Sequence, residues 1–157
     1  MDETPRYDWE PYVGRLILAC GDIELLLLQL YWNLTLHGGY EEAIRLKGMG
    51  DKAKFIRSVV DNGYVNPNLV KRINCTLKKT IELAHKRNLV AHNPLFMDVY
   101  SDEHGNFKLV PSIRSLRNND KHISFKELKK WNLTAMELTG ELQILVVLAG
   151  DAACPIV

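Results

Sequence analysis

The segment from Arg87 to His92, with the sequence RNLVAH, contains the residues best suited to chemistry. The planar guanidinium of Arg87 stays charged and can hold two oxygens of a phosphate group. The imidazole of His92 is the kind of side chain that most often transfers protons in enzymes. Asn88 can hydrogen-bond a phosphate oxygen or orient His92. Side chains of these three types are suited to binding a phosphate group and to transferring a proton.

The segment ends a long predicted helix, and its polar side chains recur at helical spacing. Ile81, His85, Asn88 and His92 share one face, which continues the apolar stripe of Leu77. Buried polar groups need hydrogen-bond partners, so a stripe that turns polar in its last two turns predicts a lined cleft.

On a straight helix, however, Arg87 and His92 lie about 140° apart and do not converge. Two remedies are open. Either the last turn unwinds ahead of Pro94, or a second subunit supplies the facing group.

Two further residues are supporting candidates for the site. Glu24 interrupts the apolar stripe of the first predicted helix. It either forms a structural salt bridge or points into the cleft to hold Arg87 or His85. His85 is a candidate because it aligns with Asn88 and His92.

In this hexapeptide, at the end of a long helix closed by Ala-His-Asn-Pro, the chain resembles the HEPN family of helical proteins. The resemblance implies a metal-independent endoribonuclease, in which the ribose 2′-hydroxyl attacks the adjacent phosphate. It implies Arg87, Asn88 and His92 as catalytic residues, with no metal and no other cofactor. It also implies that the active cleft lies at a symmetric dimer interface, where two copies of the motif face each other.

Length and composition favour one soluble domain, residues 1–157. The resemblance implies that this domain is of HEPN-like helical type. The net charge is +1, but residues 71–87 carry six Lys or Arg and one Glu, which permits an anionic partner on one face. The three cysteines have no metal-ligand spacing and predict reduced thiols in a cytoplasmic protein. The longest apolar run contains Asp22 and Glu24 in its interior, so no membrane span is predicted.

The predicted fold is all-α, a four- to five-helix bundle with a small β-hairpin inserted before the last helix. The predicted helices are residues 9–36, 40–47, 51–61, 67–93 and 125–149, and the predicted strands are 96–100 and 107–113.

Local signals predict several ends of these elements. Asp51 and Asn66 are the predicted N-caps of two helices. The sequence Ser-Phe-Lys-Glu at 124–127 is a capping box, and Gly150 is the predicted stop of the last helix. Pro111 is expected to confine the second strand to a sheet edge.

Leu25 to Leu28 and Leu30 make the second half of the first helix apolar nearly all round. Such a helix demands burial on more than one side, which predicts a homodimer.

Two functions from different classes fit these features. The first is the endoribonuclease, as a toxin with an antitoxin protein as its partner or as another defence module. The second is a non-catalytic dimeric helical module that binds nucleotides or a partner protein. A nucleotide pyrophosphatase would need repeated acidic pairs for magnesium, which this sequence lacks.

Overall fold

The fold is mostly helical, with a small antiparallel sheet before the last helix. The computed structural model describes residues 6–36, 40–60, 65–118 and 121–153. The elements in these ranges are α1 (Arg6–Leu34), α2 (Tyr40–Ile44), α3 (Met49–Val59), α4 (Pro67–His92), β1 (Leu95–Ser101), β2 (Phe107–Arg114), β3 (His122–Ile123) and α5 (Phe125–Ala153). The predicted helical bundle agrees broadly with this architecture. An all-α class with one hairpin is too simple, because β3 adds a third strand.

Helices α1 and α5 run parallel to each other. The side-chain amide of Asn132 donates to the carbonyl of Tyr12 at 3.0 Å, and that of Asn33 donates to Val146 at 2.8 Å. Helix α4 runs antiparallel to α5. Near its start Arg72 pairs with Glu141 at 2.6 Å, whereas near its end Lys86 lies over the ring of Trp131. The three long helices thus form the body of the bundle.

The leucines at positions 25–28 and 30 of α1 are buried within the single chain to a greater extent than we expected from the sequence. Leu27 and Leu30 are fully buried and Leu26 and Leu28 are half-buried, while Leu25 is 54% exposed. Coverage is this extensive because α1 contacts α3 and α4 as well as α5.

The start of α4 is confirmed, whereas the predicted start of α3 is wrong. The side chain of Asn66 accepts the backbone N–H of Leu69 at 2.9 Å, and proline follows it in the first turn. In α3 the N-cap is Gly48, with φ of 149°, and Asp51 lies inside the first turn. At that position its carboxylate still interacts favourably with the positive end of the helix dipole. The predicted end of this helix, at residue 61, lies outside the described residues.

The β-hairpin is confirmed, and β2 also pairs with β3 through Ile113 and Arg114. The prediction that β2 is an edge strand is therefore wrong for its last two residues, which pair with β3. Pro111 is tolerated because β3 is too short to pair with it. Its missing N–H therefore removes no hydrogen bond between β2 and β3. The capping box before α5 is confirmed, since Glu127 accepts the backbone N–H of Ser124 at 2.8 Å. This hydrogen bond lowers the pKa of Glu127.

Helix α5 continues through Gly150 to Ala153, so the predicted stop is wrong. A Cβ atom at Gly150 would lie 3.1 Å from the side-chain nitrogen of Asn33. The glycine therefore permits close approach of α1 and α5. From Phe125 to Ala152, α5 is long and apolar enough to cross a membrane by length and composition alone, a test that core helices of soluble proteins also pass.

Candidate functional site

A cavity of about 630 Å³ lies between α1, the α2–α3 connection and α4. Four of the five residues predicted for the site line it: Glu24, His85, Arg87 and Asn88. Its volume is in the range of pockets that bind small molecules. The candidate site is therefore a concave surface within one chain, although His92 does not contribute to it.

Arg87 lies at the centre of the inward face of α4. It follows the buried Leu83 by one helical turn and precedes the buried Val90 by one turn, and it is itself half-buried. Its Nη1 donates to Oδ1 of Asn88 at 3.1 Å. Among the described residues, no carboxylate lies within ion-pair distance of the guanidinium. A partly desolvated arginine without a carboxylate is suited to an anionic ligand.

His92 is exposed at the last position of α4 and lies outside the cavity. The helix is regular through His92, so the last turn does not unwind, and Arg87 and His92 lie about 140° apart around it. Of the two remedies for this separation, the first, unwinding of the last turn, is therefore wrong.

The face shared by Ile81, His85, Asn88 and His92 is not the end of the core stripe. Ile81 is half-buried and the other three are exposed. The buried line of α4 runs instead through residues 83, 84 and 90, because α3, α5 and α1 all pack against α4. The predicted polar cleft is therefore a largely exposed side of α4. Its polar residues His85 and Asn88 line the cavity.

Glu24 forms a salt bridge, which was the structural alternative for this residue. Lys52 Nζ donates to Glu24 Oε1 at 2.5 Å and to the carbonyl of Leu46 at 2.7 Å. The lysine side chain is 6% exposed and the glutamate side chain 38% exposed. The bridge ties α3 and the preceding connection to α1, and it forms one wall of the cavity.

Sequence reasoning missed Lys52, although a signal for it exists. Met49, Lys52, Ala53 and Ile56 are all buried and follow the spacing of an inward helical stripe. A lysine at such a position needs a partner, because an unpaired buried charge is strongly unfavourable. Glu24 occupies the matching position in the stripe of α1, so the two interruptions could have been paired.

Cys20 lies deep in the cavity wall and is nearly inaccessible. Burial raises the pKa of its thiol to about 11, Arg87 lowers the pKa, and Glu24 raises it.

Cys20 is expected to resist alkylation. At pH 8 a thiol with this pKa is about 0.1% thiolate, and only the thiolate is reactive. Cys75 is exposed and serves as the internal control. In a Cys154→Ser variant, which removes a cysteine outside the described residues, peptide mapping after iodoacetamide should find Cys75 modified at least about tenfold faster. Equal rates would contradict the burial of Cys20.

Within the described residues no group of three or more His, Cys, Asp or Glu side chains is arranged to hold a metal ion. Comparison of the chain with protein-family models, with curated proteins and with solved structures gives no match, so the function has to be inferred from the geometry of the site.

Proposed function

We propose that the protein is a metal-independent endoribonuclease that cleaves RNA by attack of a 2′-hydroxyl and leaves 2′,3′-cyclic phosphate ends. The observation that supports it most is Arg87, half-buried on a cavity wall without a carboxylate partner among the described residues. Such a group suits the scissile phosphate, where negative charge increases in the transition state. Asn88, already hydrogen-bonded to Arg87, lies beside it and can hydrogen-bond the same phosphate.

The reaction needs a base, and His92 is the proposed one. The 2′-oxygen bonds to phosphorus, the bond from phosphorus to the 5′-oxygen breaks, and the hydroxyl proton passes to the imidazole. The leaving 5′-oxygen takes a proton from water. Because His92 is about 140° from Arg87 in one chain, the proposed site combines Arg87 of one protomer with the partner's His92. His85 and Glu24 have supporting positions at the cavity.

A homodimer belongs to this proposal, and the outer surface of α1 and α5 supports it. On α1, large exposed apolar side chains recur every seven residues, at Leu18, Leu25 and Trp32. On α5 the exposed large apolar side chains include Leu133, Met136, Ile144 and Val147. Both sets lie opposite the buried stripes of their helices, so the parallel pair presents a two-helix apolar face of the kind that pairs with another protein surface.

Light scattering at micromolar concentration is therefore expected to give twice the monomer mass of 17.9 kDa. A Leu18→Glu/Leu133→Glu variant should be monomeric, because burying an unpaired charge in an apolar interface is strongly unfavourable. Leu116→Glu, at an exposed leucine outside α1 and α5, is the matched control and should remain dimeric. A soluble wild-type monomer would contradict the dimer and, with it, the shared site.

The proposed activity is tested by incubating the purified protein with single-stranded RNA in excess EDTA. The expected products carry a 2′,3′-cyclic phosphate on one side and a 5′-hydroxyl on the other. No cleavage of any RNA, with or without divalent cations, would count against catalysis.

The proposal extends to the biological setting suggested by the family resemblance. The protein would act in the cytoplasm as a toxin neutralised by an antitoxin protein, or as another defence module. Co-purification with the product of an adjacent gene, with loss of RNA cleavage in the complex, would support the toxin assignment.

The second candidate function is a non-catalytic dimeric module that binds nucleotides or a partner protein. The observation that favours it is the distance of His92 from the cavity, which leaves a phosphate-binding group without the proposed base in the single chain. Tight nucleotide binding without RNA cleavage would select this function.

A further inference from the structure

The charges around the cavity do not cancel. Four cationic side chains line it, from Lys47, Lys52, Lys54 and Arg87, against two carboxylates. The carboxylates are engaged, since Glu24 pairs with Lys52 and the second carboxylate, of Asp51, lies 3.9 Å from Lys54. Among the described residues, Lys47 and Arg87 have no ion pair and leave the cavity positive, as an anionic ligand requires.

The salt bridge between Glu24 and Lys52 is asymmetric. The lysine is 6% exposed and already donates to two oxygens, whereas the glutamate is 38% exposed and lines the cavity. A carboxylate has about four acceptor positions, and one is used by Lys52. Lys52 therefore holds the carboxylate in place while most of its acceptor capacity remains available to a ligand.

The cavity also has more room and more hydrocarbon than a lone phosphate needs. Its volume is about 630 Å³. Its walls include the apolar side chains of Ile17, Ile44, Met49 and Ile81, besides the polar groups. A planar base can lie against such side chains while its edge makes hydrogen bonds.

We propose that the cavity holds one whole nucleotide of the RNA, with its phosphate at Arg87 and its base donating hydrogen bonds to the carboxylate of Glu24. Guanine offers two adjacent N–H donors to one carboxylate. Adenine and cytosine offer an amino group alone, and uracil offers one N–H between two carbonyl oxygens that the carboxylate repels. Glu24 is thus a specificity residue that selects guanine, an assignment that rests on the proposed ribonuclease function for the identity of the ligand.

Calorimetric titration of the full-length protein tests this with guanosine 3′-monophosphate, uridine 3′-monophosphate and inorganic phosphate. The guanosine nucleotide is expected to bind at least about tenfold more tightly than the uridine nucleotide, the usual discrimination by a two-point contact to a base. Glu24→Gln should reduce the guanosine affinity by about tenfold and leave the other two ligands within about twofold. Its amide oxygen can still accept from Lys52, which protects the fold. Glu137→Gln, at an exposed position on α5 outside the cavity lining, is the matched control and should change nothing.

Glu24-dependent preference for the guanosine nucleotide without RNA cleavage supports the base contact and counts against the ribonuclease. RNA cleavage with equal binding of the two nucleotides, or a preference that survives in Glu24→Gln, overturns the base contact alone. If Glu24→Gln does not fold, a Glu24→Asp variant provides the test, because shortening the side chain should reduce the guanosine preference while keeping the charge.

Discussion

Replacing Arg87 with alanine is expected to lower the rate of RNA cleavage by about 10²- to 10³-fold, the usual loss when one group that stabilises transition-state charge is removed. The free energy of unfolding should change by less than about 1 kcal/mol, because the guanidinium is half-buried and has no carboxylate partner among the described residues. Cleavage is measured under single-turnover conditions, and stability by urea unfolding. Arg87→Lys should recover part of the rate, since it keeps the charge and loses the planar fork.

Arg57→Ala provides the control for a loss of positive charge, because Arg57 is exposed on α3 and does not line the cavity. Its activity should be close to wild type. Two outcomes would count against a phosphate role for Arg87: full activity in Arg87→Ala, or an equal loss in Arg57→Ala.

Replacing His92 with alanine is expected to lower the rate of RNA cleavage by about 10²- to 10⁴-fold, the usual contribution of a positioned general base. Stability should change little because His92 is exposed. Mixing the Arg87→Ala and His92→Ala proteins then tests the shared site. Random exchange puts half the protein in mixed dimers, and each has one intact site of two, so about a quarter of wild-type activity should return. An inactive mixture whose subunits have exchanged would contradict a site built from two protomers.

The second large effect is on the stability of the protein, and it comes from the salt bridge between Glu24 and Lys52. Glu24→Ala should reduce the free energy of unfolding by about 3 kcal/mol, because it leaves the charge of a lysine that is 6% exposed without its ion-pair partner. Lys52→Met should cost about 1 kcal/mol or less. Methionine fills a similar volume among Met49, Ala53 and Ile56, and the partly exposed carboxylate can be hydrated. Urea unfolding of both variants measures the difference.

The double variant Glu24→Ala/Lys52→Met is the control for this asymmetry. It removes both charges and should be more stable than Glu24→Ala alone. An equal reduction of the free energy of unfolding in the two single variants would show that the lysine is hydrated despite its burial. A larger reduction in Lys52→Met would show that Glu24, and not Lys52, is the partner that depends on the salt bridge.

The parts of the fold that local chemistry decides were predictable from the sequence. Asn66 before a proline and the Ser124–Glu127 box each fix a helix start through hydrogen bonds within a few residues. Gly150 was misinterpreted because its role depends on Asn33, more than a hundred residues away, and not on the local chain. The strand β3 has two residues, too few to show any alternation of polar and apolar side chains.

Much of the candidate site was predictable as a set of residues, but not its arrangement. Glu24, His85, Arg87 and Asn88 do line one cavity, since each interrupts or borders an apolar stripe. Which face of α4 is buried depends on where α1, α3 and α5 pack against it, and periodicity alone placed the buried face on the side that contains His85. The contribution of α3 was missed because Lys52 is charged, and its burial is explained only by its contact with Glu24.

The most direct test of the ribonuclease function uses two RNA oligonucleotides that differ in one atom. After the cleavage position has been mapped in the all-RNA oligonucleotide, the second oligonucleotide carries a 2′-deoxynucleotide on the 5′ side of that position. In EDTA, the first oligonucleotide is expected to be cut there to a 2′,3′-cyclic phosphate, and the second is expected to remain uncut at that position. Equal cleavage of both oligonucleotides, or cleavage that requires a divalent cation, would contradict attack by the substrate's own 2′-hydroxyl with Arg87 as the source of positive charge.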